Sequence, residues 1–190
     1  MRLSDLDDFF GLIKSGEIDI YNEASVQFEL GWFLRLKYPT ANISLERNVA
    51  YLGVDKSDFV KSEMDLFFNQ AGEDLSSVVE LKAPLNQSQV RPITVFEWIK
   101  DVKFLEQVTE LGIRCFSIFV TDHKGYFNNG RKTGRLLTDF RSEKIQGSYH
   151  RYHKLSESND IIVLDGSYTF DWKPLNNGLF YFVIEFCPNR

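Results

Sequence analysis

The segments EMDLFFN (63–69) and SVVELKA (77–83), separated by the turn-rich QAGED (70–74) and closed by Pro84, predict a β-hairpin. In the second strand Glu80 and Lys82 are two residues apart, so their side chains point to the same face of the sheet. Val79, Leu81 and Ala83 point to the opposite face. A short turn places Asp65 of the first strand alongside. The hairpin is therefore expected to bring two carboxylates and one ammonium group together.

This group of charges points to a functional site, because a carboxylate and an ammonium group on an otherwise apolar strand carry a desolvation cost. Two converging carboxylates suit a hard divalent cation, which prefers oxygen ligands. A lysine beside them can stabilise developing phosphate charge or orient an attacking water. The alternative interpretation is a cross-strand salt-bridge network with no catalytic role.

The remaining sequence predicts an α/β fold with a mixed sheet. Apolar residues recur at helical spacing in three segments, and apolar or alternating runs mark the strands. The predicted helices cover 3–14, 22–37 and 93–111, and the predicted strands cover 43–52, 63–69, 77–83, 115–120, 160–164, 168–172 and 179–186. The last three strands form a β-rich C-terminal extension. The pattern leaves open whether they continue the same sheet or form a small lobe.

The length of 190 residues predicts one domain over 1–190, with a core over about 20–122 and terminal strands over 160–186. The net charge is −5, but the segment 123–154 holds eight lysines and arginines against two acids. That segment carries +6 and the rest carries −11. It is either a solvated surface or a phosphate-binding wall beside an acidic core. Arg91, Arg131, Lys132 and Arg135 are the candidate contacts to nucleic acid.

Several features predict a cytoplasmic protein without a membrane segment. No apolar run approaches the ~18 residues that a membrane span needs. The first residues, MRLSDLDDFF, are acidic and lack the pattern of a signal peptide. The two cysteines, Cys115 and Cys187, are flanked by apolar residues and are expected to be buried thiols.

The tripeptide Asp/Glu-x-Lys recurs along the chain, for example ending at Lys82, Lys103 and Lys173, so the tripeptide alone is not specific. Lys103 and its aspartate, Asp101, fall in the predicted long helix, where residues two apart diverge by about 200°. Their charges, together with that of Glu106, are explained by i,i+3 pairing on a solvated helix face. Only the copy at Glu80 has an acid on a neighbouring strand and a long helix after it.

On these residues the chain resembles the PD-(D/E)XK nuclease superfamily, whose restriction-endonuclease-like core has the order helix, three strands, helix, strand. The resemblance covers Glu23 to Thr121, about half of the chain, and rests on the two acidic motifs around Asp65 and Glu80. Family members often carry a glutamate in the first helix, a position that Glu23 fits and for which Glu29 is the competitor. Met64 stands where many members have proline.

The resemblance implies a nuclease that hydrolyses phosphodiester bonds, with DNA as the expected substrate and Mg²⁺ or Mn²⁺ as the cofactor, in defence, mobile-element or repair processes. Asp65, Glu80 and the Leu81 carbonyl would bind the metal, and Glu23 would hold a metal-bound water or second cation. Lys82 would position or deprotonate the attacking water and offset charge on the transition state. RNA is not distinguished from DNA as substrate. A homodimer would supply the two sites that double-strand cleavage requires. The alternative is an inactive nuclease-like fold that binds nucleic acid or protein.

Overall fold

A computed structural model describes residues 1–70, 75–128, 134–151 and 160–188. Its helices are α1 (Leu3–Ser15), α2 (Glu23–Lys37), α3 (Pro92–Thr109) and α4 (Arg135–Arg141). Its strands are β1 (Asn42–Asn48), β2 (Glu63–Gln70), β3 (Leu75–Lys82), β4 (Arg114–Thr121), β5 (Lys144–His150), β6 (Ile161–Thr169), β7 (Lys173–Pro174) and β8 (Phe180–Phe186). The chain is thus a mixed α/β protein, as its sequence predicts. No helix within the described ranges is long and apolar enough to cross a membrane.

The main sheet has six strands in the order β1-β2-β3-β4-β8-β7. The pairing of β3 with β4 is parallel and the other pairings are antiparallel, so the sheet is mixed. Strands β5 and β6 form a separate two-stranded sheet. The sequence left open whether the C-terminal strands continue the main sheet. Strands β7 and β8 do so, whereas β6 does not.

The three predicted helices begin and end within two residues of their predicted bounds, whereas α4 was not predicted. Asn22 caps α2 by accepting a hydrogen bond from the Ser25 backbone N–H at 2.8 Å. Helix α1 ends at Ser15 because Gly16 adopts a left-handed conformation with φ of 84°, which glycine reaches without strain. Pro92 occupies the first turn of α3, where its missing N–H has no helical partner to lose.

Two apolar clusters lie on opposite faces of the main sheet. Helices α1 and α2 pack on one face, against Leu66, Val79 and Leu81 among others. Helix α3, α4 and the β5–β6 sheet contribute to the cluster on the other face. There Trp98 of α3 makes edge-on ring contacts with Phe119, Phe140, Phe170 and Phe182. The side chains of Glu80 and Lys82 point to this α3 face.

Three details differ from the sequence-based expectations. The strand predicted to Leu52 ends at Asn48, whose side chain caps a 3₁₀ turn by accepting the Ala50 N–H at 2.9 Å. In place of the separate strands predicted at 160–164 and 168–172 there is one strand, β6, which continues through Gly166 with an irregularity in its pairing to β5 and ends at Thr169. Cys115 is buried as expected, but Cys187 is exposed because it follows the end of β8.

Candidate active site

The predicted acidic residues lie where β2 and β3 separate. Pairing of β2 with β3 ends at Leu66 and Val79, while β3 remains paired with β4 as far as Lys82. In the resulting fork the Asp65 carboxylate accepts the Leu81 N–H at 2.7 Å, and the Asp65 N–H lies 3.4 Å from Glu80 Oε1. The Leu81 carbonyl lies on the same strand edge as its N–H and so borders the fork.

Lys82 and Glu23 extend this group toward the start of α2. Lys82 Nζ lies 3.6 Å from Glu23 Oε1, and Glu23 Oε2 accepts the Ala83 N–H at 2.9 Å. Glu23 thus holds both the lysine and the backbone that follows it. Glu29, the competing helix glutamate, forms no hydrogen bond or ion pair with these groups within the described residues. The structure therefore brings Asp65, Glu80, Lys82 and Glu23 together.

Two residues that the sequence interpretation missed complete what we call the site cluster (Glu23, Lys61, Asp65, Glu80, Lys82 and Asp101). Lys61, just before β2, lies 3.2 Å from Asp65 Oδ1 and 3.3 Å from Asp101 Oδ1, and it donates a hydrogen bond to Glu80 Oε2. No periodic pattern marks Lys61, because it precedes the strand in an irregular segment.

Asp101 was expected on a solvated face of the long helix, and that expectation is wrong. Its side chain is only 8% exposed, with Oδ2 3.5 Å from Lys82 Nζ. The same correction applies to Glu106, which is buried and accepts N–H bonds from β6. The signal for Asp101 is its position three residues after Trp98 and four before Leu105, both buried, which places it on the inward side of α3.

The site cluster contains more carboxylates than ammonium groups, and the pKa values of its members are shifted accordingly. Burial raises the pKa of Glu80 well above its usual value, and Asp65 and Asp101 raise it further against the opposing effect of Lys61. Burial likewise raises the pKa of Asp101 to about 6, although Lys61 and Lys82 lower it. For Lys61, burial lowers the pKa, but the three carboxylates outweigh burial and leave the pKa raised.

The donor set of the site cluster fits a divalent cation. Four carboxylates face two ammonium groups, so two formal negative charges are uncompensated within the cluster. Asp101 Oδ2 is buried and accepts no hydrogen bond. Asp65, Glu80 and the Leu81 carbonyl remain the predicted ligands, although no three His, Cys, Asp or Glu side chains among the described residues lie in an arrangement that could hold a metal ion. Mg²⁺ suits such a partial set because it retains several waters.

A cavity of about 700 Å³ opens beside the site cluster. Its lining includes four lysines, Lys56, Lys61, Lys82 and Lys100, and three acids, Glu63, Glu97 and Asp101. A ligand in this cavity would contact both kinds of side chain. The cavity therefore has a small net positive formal charge, +1, next to the carboxylates.

Of the basic residues predicted to bind nucleic acid, the two that the structure describes, Arg91 and Arg135, do not line this cavity. Arg91 caps the start of α3 and is exposed, without a contact to the site cluster in the described residues. Arg135 is engaged within its own part of the fold, 3.2 Å from both Asp139 and the Gln146 carbonyl. Arg131 and Lys132 lie outside the described residues.

Comparison with known proteins adds no relative to this picture. A scan against protein-family models, a search of curated proteins and a search of solved structures each found no match for the chain.

Proposed function

We propose that this protein is a metal-dependent nuclease of the PD-(D/E)XK type that hydrolyses phosphodiester bonds in DNA. The observation that carries the proposal is the convergence of Asp65, Glu80, Lys82 and Glu23 at the fork between β2 and β3. The element order α2, β1, β2, β3, α3, β4 agrees with the restriction-endonuclease-like core. The adjoining lysine-lined cavity supports a polyanionic substrate.

In this proposal each residue of the site cluster has a role that follows from its position. Asp65, Glu80 and the Leu81 carbonyl would hold Mg²⁺, and Glu23 would hold a metal-bound water or a second cation. When bound, the metal supplies Lewis-acid activation of the phosphate and a more acidic water. Glu23 and Asp101 fix the ammonium of Lys82 from two sides, at 3.6 and 3.5 Å.

The protonation state of Lys82 follows from its neighbours. Burial lowers its pKa, but Asp101, Glu23 and Asp65 outweigh burial and leave the pKa raised. Lys82 therefore stays an ammonium group at neutral pH and acts as a cation. It orients the attacking water and offsets the charge that develops on the phosphate oxygens.

A second candidate function is an inactive nuclease-like fold that serves as a binding module. The observation that favours it is Lys61, whose ammonium group already pairs with the Asp65, Glu80 and Asp101 carboxylates. In this alternative the charges form a structural salt-bridge network and need no metal.

The two candidates are separated by a cleavage assay on supercoiled, linear and single-stranded DNA and on RNA, with Mg²⁺, Mn²⁺ or EDTA. The unchanged protein is compared with Lys82→Ala and with a control, Lys173→Ala. Lys173 ends another Asp-x-Lys tripeptide, and its side chain is 57% exposed. We expect metal-dependent cutting by the unchanged protein and the control, and its loss in Lys82→Ala. Absence of cutting together with absence of Mg²⁺ binding by calorimetry would favour the binding module.

A further inference from the structure

Lys61 is the cation most closely surrounded by the carboxylates of the site cluster. Its ammonium group touches Asp65, Glu80 and Asp101, whereas Lys82 approaches only Asp101 and Glu23. Lys61 also lies 5.7 Å from the centre of the Phe104 ring, which covers it on the α3 side. The carboxylates predicted to hold a divalent cation are therefore already bridged by a single positive charge.

The backbone around Lys61 is anchored, but its side chain has space beside it. The Val60 N–H donates to Gln107 Oε1 at 3.0 Å, and the Ser62 carbonyl accepts the Val49 N–H at 2.8 Å. The side chain itself is 19% exposed and lines the cavity of about 700 Å³ that also contains Lys56 and Lys100. The Lys61 side chain therefore has cavity space beside it into which it can rotate.

We propose that Lys61 is the resident counter-ion of the metal site: it holds the carboxylates together in the metal-free protein and withdraws into the cavity when a divalent cation binds. This inference rests on the proposed function. An ammonium group and a metal ion cannot share the same carboxylate oxygens at close range, because both are cations that repel at short distance. Lys61 is thus a positioning residue. It holds the carboxylates in place before the metal ion binds, and it competes with that ion for their oxygens.

The competition makes a quantitative prediction about metal affinity. When the binding-competent state is only a fraction of the population, the apparent Kd exceeds the intrinsic Kd by the inverse of that fraction. If Lys61 occupies the carboxylates in about nine molecules of ten, its removal lowers the Kd for Mg²⁺ by about tenfold. A purely structural role for Lys61 predicts the opposite change in Kd, since without its charge the carboxylates would be held less firmly and would bind Mg²⁺ more weakly.

The test is calorimetric titration of Mg²⁺ into the full chain, without substrate. Lys61→Met is expected to bind Mg²⁺ about tenfold more tightly. Lys56→Met is the matched control, because it removes a charge from the same cavity without touching the carboxylates, and its Kd should stay within about twofold of the parent value. Lys61→Arg retains the charge and adds donors, so it is expected to weaken Mg²⁺ binding by about threefold or more.

Thermal unfolding gives a second measurement that does not depend on catalysis. Lys61→Met should melt at a lower temperature than the parent in EDTA, because three carboxylates lose their shared cation. Its melting temperature should rise more on addition of Mg²⁺ than that of the parent, since at a fixed ligand concentration the stabilisation increases as the Kd falls. If Lys61→Met proves unfolded in EDTA, the Lys61→Arg titration decides the question.

The outcomes separate this inference from the proposed function. Equal Mg²⁺ affinities in the parent, Lys61→Met and Lys61→Arg, or weaker binding in Lys61→Met, overturn the role of Lys61 and leave the nuclease proposal standing. Absence of Mg²⁺ binding in a folded parent and a folded Lys61→Met overturns the metal site itself, and the nuclease proposal with it.

Discussion

Replacement of Asp101 by asparagine is expected to stabilise the metal-free protein. Burial raises the pKa of Asp101 from 3.8 to about 6, and its two lysine neighbours do not fully oppose that effect. One pKa unit corresponds to about 1.4 kcal/mol, so the folded state disfavours the charged carboxylate by about 3 kcal/mol at neutral pH. Asparagine has nearly the same shape and no charge. We therefore expect Asp101→Asn to raise the free energy of unfolding by about 1 to 3 kcal/mol at pH 7.5.

The pH dependence follows from the direction of the shift. Between about pH 4 and pH 6 the folded chain binds the Asp101 proton more tightly than the unfolded chain, so the contribution of Asp101 to stability falls as the pH rises through this range. Asp101→Asn lacks this decline. The difference between variant and parent should therefore vanish near pH 4 and reach its full size above pH 6.

Urea unfolding followed by tryptophan fluorescence in EDTA measures this difference at pH 4, 5, 6 and 7.5. Asp58→Asn, which alters an exposed aspartate in a 3₁₀ turn, serves as the control and should change stability by no more than about 0.5 kcal/mol. If Asp101→Asn instead lowers the free energy of unfolding at pH 7.5, Asp101 is an indispensable partner of Lys61 and Lys82, and the argument from uncompensated charge is wrong.

Three further predictions concern the helix glutamates, the aromatic core and the acid side of the stability profile. Glu23→Gln should reduce the cleavage rate by about 10- to 100-fold, because Glu23 orients Lys82 and accepts the Ala83 N–H. Glu29→Gln should leave the cleavage rate unchanged, and equal losses in the two variants would contradict the assignment of Glu23. Trp98→Phe should lower the free energy of unfolding, measured by urea denaturation, by about 1 to 3 kcal/mol, because the Ser117 hydroxyl, 2.8 Å from Trp98 Nε1, loses its buried donor. A second substitution, Ser117→Ala, should recover part of that loss. For Asp5, burial raises the pKa but hydrogen bonds from its neighbours outweigh burial and lower it, so its contribution to stability is present above about pH 4 and lost on acidification. Thermal melts from pH 2 to 5 should therefore fall less steeply in Asp5→Asn, and parallel curves would exclude this role.

The sequence predicts the parts of this fold in which local pattern and tertiary structure agree. Helical periodicity and caps locate α1, α2 and α3, and the apolar run locates β4, which is buried on both faces. Glu80 and Lys82 could be placed together because residues two apart in a strand share a face. Asp65 followed from the hairpin, since its turn is short enough to fix which strands are neighbours.

Lys61 and Asp101 escaped prediction for different physical reasons. Lys61 lies in an irregular segment after a 3₁₀ turn, where no period relates a residue to a face. Asp101 lies on a regular helix, but a charged residue is normally assigned to the solvated side. Its burial depends on the charges of β3 that meet it across the α3 face, and those are long-range contacts that local pattern does not contain.

The position of β8 between β4 and β7 has a consequence for synthesis of the chain. The motifs around Asp65 and Glu80 leave the ribosome early, but one edge of β4 stays open until residues 180–186 are available to pair with it. An open edge on so apolar a strand is a template for association with other chains. We therefore expect the partly synthesised protein to depend on chaperones, and the candidate site to gain its rigid support late, after the residues that form it.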